Sequence, residues 1–131
     1  METATLATNA PPAVGQEWNG GKYIGITVDN GQPARLVVLP EEFSGNWKAA
    51  GAWAEQQGGT MPSRIDQLVM LPHRDLLGMK KAWYWSSESY AGNTAYAWCQ
   101  HFITGYQDYN HKINHSRARA VRRYPLSDSV L

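Results

Sequence analysis

Trp83-Tyr84-Trp85-Ser86-Ser87-Glu88, followed by Tyr96-Ala97-Trp98-Cys99-Gln100-His101-Phe102, decides the fold. No helical period fits these residues. Alternation does: Tyr96, Trp98, Gln100 and Phe102 fall on one side of an extended chain, and Ala97, Cys99, His101 and Ile103 on the other. Aromatic and β-branched residues suit a half-buried pleated surface. A polar, aromatic run comes next, Gly105-Tyr106-Gln107-Asp108-Tyr109-Asn110-His111-Lys112, and Arg117-Ala118-Arg119-Ala120-Val121-Arg122-Arg123-Tyr124 closes the pattern. Residues 83–124 therefore predict a small antiparallel sheet of about three or four strands, with Trp85 and Trp98 in the core. The rest of the chain is expected to supply helices that cover one face of it.

Upstream, Tyr23-Ile24-Gly25-Ile26-Thr27-Val28 and Arg35-Leu36-Val37-Val38-Leu39 flank Asp29-Asn30-Gly31-Gln32. Asn-Gly between apolar runs predicts a hairpin, because both turn positions tolerate positive φ. A helix is predicted over 46–57, capped by Ser44. Trp47, Ala50, Gly51 and Ala54 recur there at the spacing of a buried helical face, and Gly58-Gly59 ends it. A second helix is predicted over 63–71, with Ser63 as cap and Asp66 in the capping-box position. Ile65, Leu68 and Val69 are its expected apolar face, and Pro72 stops it.

The chain has 131 residues, which suits one domain. Residues 1–17 are small, polar and proline-containing, and read as an N-terminal tail for assembly or linkage. The domain is expected over 18–124, with a short C-terminal tail at 125–131. A net charge of +1 gives no nucleic-acid footprint. The single cysteine, Cys99, excludes an intrachain disulfide. No basic and apolar leader opens the sequence, and no run approaches the roughly 20 apolar residues of a membrane helix. These features predict synthesis in the cytosol, no ordinary export and no membrane insertion.

The run Gly59-Thr60-Met61-Pro62-Ser63-Arg64-Ile65-Asp66-Gln67-Leu68 resembles the segment that follows the first helix in the Lcl C-terminal-domain family. Trp83 to Glu88, Ala97-Trp98, Phe102, Gly105, Lys112 and Arg119-Ala120-Val121-Arg122 resemble later motifs of that family, in the same order. The resemblance covers roughly residues 47–124. It departs at Thr60-Met61, where the family has Trp-Arg. That family is similar to C-type-lectin-like domains, to phage tropism determinants and to formylglycine-generating enzymes. The resemblance implies an α+β, C-type-lectin-like domain: an N-terminal hairpin and two helices packed on a small twisted antiparallel sheet. It implies Arg119 and Arg122 as structural residues, paired with carboxylates such as Glu88 or Asp66. It also implies binding rather than catalysis.

The residues favour no enzyme. Formylglycine-generating relatives depend on a cysteine pair, and this chain has one cysteine. No Glu-Pro-Asn or Trp-Asn-Asp triplet supports calcium, and His73, His101, His111 and His115 lack the pattern of a zinc site. The expectation is therefore no cofactor and no metal. The run from Tyr106 to His115 has the composition of a binding loop, because Tyr gives rigid amphipathic contact area while Asn and His give adaptable hydrogen bonds. The candidate recognition residues are Tyr106, Asp108, Tyr109, Asn110, His111, Asn114 and His115. The functional expectation is a binding module of a phage virion, in the tail tip, a tail fibre or the capsid exterior. Its partners would be a host cell-surface glycan or protein, or other virion proteins, and not nucleic acid. It would assemble as a homo-oligomer, with a trimer ahead of other states. The alternative is a soluble cytoplasmic lectin-like binding protein of unknown ligand.

Overall fold

Asn30 and Gly31 adopt positive φ, 50° and 76°, and so close a two-residue turn that an ordinary L-residue pair would resist. The turn joins β2 (Gly21–Asp29) to β3 (Gln32–Gly45), as the sequence predicts. These strands belong to a computed structural model that describes residues 11–126. The two-residue β1 (Glu17–Trp18) precedes them. α1 (Trp47–Gln56) and α2 (Arg64–Met70) follow, and a single 3-10 turn, Leu71–His73, extends α2. Four more strands complete the described chain: β4 (Trp83–Ser89), β5 (Tyr96–His101), β6 (Gln107–His111) and β7 (Ser116–Pro125).

All seven strands form one sheet, in the order β1-β2-β3-β7-β4-β5-β6. Every adjacent pair is antiparallel except β4 and β7, which run parallel where Tyr84 lies beside Arg117. The expected α+β, C-type-lectin-like fold with two helices on a small antiparallel sheet is therefore corrected. The sheet is large and mixed, and the helices are two short ones. The physical reason is the last strand: β7 inserts between β3 and β4 and fuses the N-terminal hairpin with the aromatic C-terminal strands.

The helices also lie on opposite faces rather than one. Strand alternation separates Val37 and Leu39 from Leu36 and Val38. Val37 and Leu39 pack with Ala50 and Ala54 of α1, Trp85, Ala118 and Ala120. Leu36 and Val38 pack with Met70 of α2, Ile24, Tyr84 and Phe102. Small residues on α1 and β7 let the helix approach the sheet, and Trp85 fills the remaining space. Its indole N–H donates to the Gly45 carbonyl at 3.0 Å.

α1 is capped by Asn46, whose side chain accepts from the Ala49 N–H at 2.9 Å; Ser44, the expected cap, lies within β3. α2 has the predicted capping box between Ser63 and Asp66. Of its expected apolar face only Val69 packs on the core; Ile65 and Leu68 are 46% and 52% exposed, while Asp66, Gln67 and Met70 are buried. Polar anchors explain the inversion. Asp66 accepts from the Thr27 hydroxyl and from Arg123 Nε at 2.8 Å, and Gln67 Nε2 donates to the carbonyls of Tyr84 and Trp85. A buried carboxylate is tolerated when it is paired and fully hydrogen-bonded.

The arginine assignments shift as well. Arg119 is buried and donates to the carbonyls of Leu39 and Leu77, with Glu42 Oε2 at 3.9 Å; burial lowers its pKa. Arg122 donates to the carbonyls of Gly58, Asn19 and Gln57 and, among the described residues, meets no carboxylate. Arg123 takes Asp66, while Glu88 accepts from the backbone N–H of Arg64. The end of the expected N-terminal tail is docked: Gly15 N–H donates to the Tyr23 carbonyl at 2.7 Å, and Tyr23 N–H to that of Gln16 at 3.0 Å. The rest of that tail, 1–10, and residues 127–131 of the C-terminal one lie outside the described residues.

Candidate functional site

The stretch expected to be a loop contains a strand. β6 carries Asp108, Tyr109, Asn110 and His111 and forms one edge of the sheet. Tyr106 precedes it, and Asn114 and His115 lie in the connection to β7. Because β6 is a strand, alternation divides the candidate residues between two faces. Tyr109 lies opposite Trp98, and His111 opposite Tyr96, on the α2 side. Asp108 lies opposite Cys99, and Asn110 opposite Ala97, on the α1 side.

On the α2 side the aromatic rings form a cluster. Tyr109 stacks on Tyr90 with centroids 4.0 Å apart, and Trp98 meets both rings edge-on at 5.5 Å. Tyr96 adds an edge contact to Tyr109, and His111 lies 5.0 Å from Tyr96. The Tyr90 hydroxyl raises the pKa of the Tyr109 phenol. The Arg64 guanidinium sits 3.6 Å from the centroid of Trp98, a cation–π arrangement. A ladder of amides holds it there. Gln100 Nε2 donates to the Gln67 carbonyl, and Gln107 Nε2 donates to Gln100 Oε1 and to the Arg64 carbonyl. Arg64 Nε in turn donates to Gln107 Oε1 at 2.9 Å. Trp98, expected in the core, is thus half-buried under this cluster, whereas Trp85 is fully buried.

On the α1 side a row of rings crosses the sheet. Trp83 lies opposite His101 with centroids at 5.2 Å, and Tyr106 lies 6.2 Å from Trp83. Beside this row is a cleft of about 550 Å³, lined by Trp83, Cys99, Asp108, Asn110, His115 and Ser116 among others. That volume falls within the range of small-ligand sites. Burial pushes the Cys99 thiol up to about 12, so the sulfur is a neutral surface and not a nucleophile.

Two backbone donors of the edge are capped by side chains. Ladder pairing directs the N–H groups of Tyr109 and His111 outward. Asp108 Oδ1 accepts the first at 2.8 Å and Asn110 Oδ1 the second at 2.9 Å. Natural sheets protect their edges by such means.

Sequence reasoning missed Trp83, Tyr90, Arg64 and Gln107. Trp83 had a signal, since it alternates with the buried Trp85 and so shares its face. Tyr90 and Arg64 had none, because they reach the cluster from a turn and from another element. Among the described residues, no group of three or more His, Cys, Asp or Glu could hold a metal ion, and no helix is long and apolar enough to cross a membrane. No protein-family model matches the chain, and no curated protein matches it.

Proposed function

We propose that the protein is a non-enzymatic binding module whose recognition surface is the β5–β6 end of the sheet. One observation carries this reading: Tyr106 and Tyr109 are 63% and 43% exposed, and Ile113, just beyond β6, is 73% exposed. Large amphipathic side chains on both faces of this edge, together with Asp108, Asn110, Asn114 and His115, combine anchoring area with hydrogen bonding, the composition of a binding hot spot. The partner in this reading is a host-surface glycan or protein, or a neighbouring protein of a phage particle. The phage setting, like membership of the Lcl C-terminal-domain family, rests on the order of motifs between residues 47 and 124. A homo-oligomer, a trimer first, would multiply weak contacts by avidity.

The test is the double substitution Tyr106→Ser/Tyr109→Ser in the full chain. Tyr109 leaves an aromatic cluster, so a cost of about 0.5–1.5 kcal/mol per lost ring contact and a melting temperature a few degrees lower are expected. Binding to host cells and incorporation into purified particles should both be lost. A folded double variant that binds and assembles like the wild type would overturn the reading.

A further inference from the structure

We infer that the cleft between the Trp83 row and the β6–β7 connection accepts an organic cation, an alkylammonium such as a lysine side chain of the partner or a small free amine. This rests on the proposed recognition surface and names the chemistry it takes up. Asp108 is the single carboxylate among the lining residues. Its Oδ1 accepts the Tyr109 N–H, and no other hydrogen bond from the described residues reaches the carboxylate, so Oδ2 remains for a ligand.

Arg117 also lines the cleft, but its charge is directed elsewhere. In β7 it lies in register with Tyr84, on the α2 face, and its Nη1 reaches Glu42 Oε1 at 3.5 Å. Glu42 also accepts the Tyr84 hydroxyl on that side. The guanidinium is thus engaged by a carboxylate other than Asp108. The remaining lining chemistry suits a cation with an aliphatic stem. Trp83 is 37% exposed and forms an aromatic wall with Tyr106 beside it, the surface that attracts ammonium groups. The neutral Cys99 sulfur accommodates methylenes. Asn110 Oδ1 is already taken by the His111 N–H and by Asn114 Nδ2, so Asn110 presents only donors, and Asp108 is left as the acceptor for an ammonium.

The experiment titrates the full chain, followed by amide and indole NMR, with three probes: a blocked Gly-Lys-Gly peptide, the same peptide acetylated on the lysine, and methylammonium chloride. The lysine peptide is expected to shift the Trp83 indole and the Asp108 amide, and the acetylated peptide is not. Asp108→Asn should weaken lysine-peptide binding about tenfold or more while leaving the melting temperature unchanged, since an ionic hydrogen bond is lost without a change of shape. Methylammonium shifting the same resonances assigns the cleft to free amines as well; a response to the lysine peptide alone assigns it to a protein side chain. Silence with both cations, equal binding of the acetylated peptide, or an unchanged affinity in Asp108→Asn overturns the inference. The readouts are separable: the Tyr106→Ser/Tyr109→Ser binding assay judges the recognition surface, and the titration judges the cleft.

Discussion

The two faces of the sheet hold their helices by different physics. On one face α1 buries Ala50 and Ala54 against Trp85, Ala118 and Ala120, and its first residue, Trp47, donates its indole N–H to the Ser86 carbonyl at 2.8 Å. On the other face α2 turns Asp66 and Gln67 inward and leaves Ile65 and Leu68 in solvent. The first helix is held mainly by area removed from water, whereas the second adds to its buried Met70 a set of directed bonds to Thr27, Arg123, Tyr84 and Trp85. Non-directional burial tolerates many side chains of the right size, whereas a bonded anchor fixes one position and fails when one partner is lost.

This contrast is broken most directly by the largest buried ring. Trp85→Ala should cost about 3–5 kcal/mol in urea unfolding, because it empties the α1-side core and frees the Gly45 carbonyl. Trp98→Ala, in the half-buried cluster, should cost only about 1–2 kcal/mol. Equal losses for the two tryptophans would erase the distinction between core and surface cluster. Asp66→Ala comes next, at roughly 3 kcal/mol, since it strands Arg123, the Thr27 hydroxyl and the Ser63 N–H together. An Asp66→Ala protein within about 1 kcal/mol of wild type would mean that α2 is not held by its polar anchors.

The same contrast explains what the sequence disclosed. The hairpin at Asn30-Gly31, the extent of both helices and the Ser63–Asp66 capping box rest on residues within a few positions of one another and were legible, although the α1 cap fell on Asn46 and not on Ser44. The insertion of β7 between β3 and β4 was not, because it depends on pairs such as Val38 with Val121 and Tyr84 with Arg117, far apart in the chain. For the candidate site, the composition of Tyr106 to His115 was legible but its geometry was not. A polar run reads as a loop, whereas pairing with β5 makes it a strand and sends Tyr109 and Asp108 to opposite faces. α2 misled for another reason: apolar spacing identifies a face, but it cannot reveal that Asp66 has Arg123 waiting for it across the sheet.

The smallest expected effect gives the sharpest test of that inverted helix. Leu68→Gln and Ile65→Gln remove the two residues that helical spacing assigns to the core. If that face were buried, each substitution should cost about 2–5 kcal/mol through lost burial and a stranded amide. In the structure both side chains are about half exposed, and Gln has a helix propensity close to that of Leu. Each should therefore stay within about 0.5 kcal/mol of wild type, with an unchanged denaturant slope. Met70→Ala, on the buried side of the same helix, should cost about 2–5 kcal/mol and serves as the internal reference. If Leu68→Gln destabilises as much as Met70→Ala, the outer face of α2 is covered in the folded protein and the polar anchors are secondary. If only Met70 responds, the orientation of α2 is set by the buried carboxylate and amide that its apolar pattern conceals.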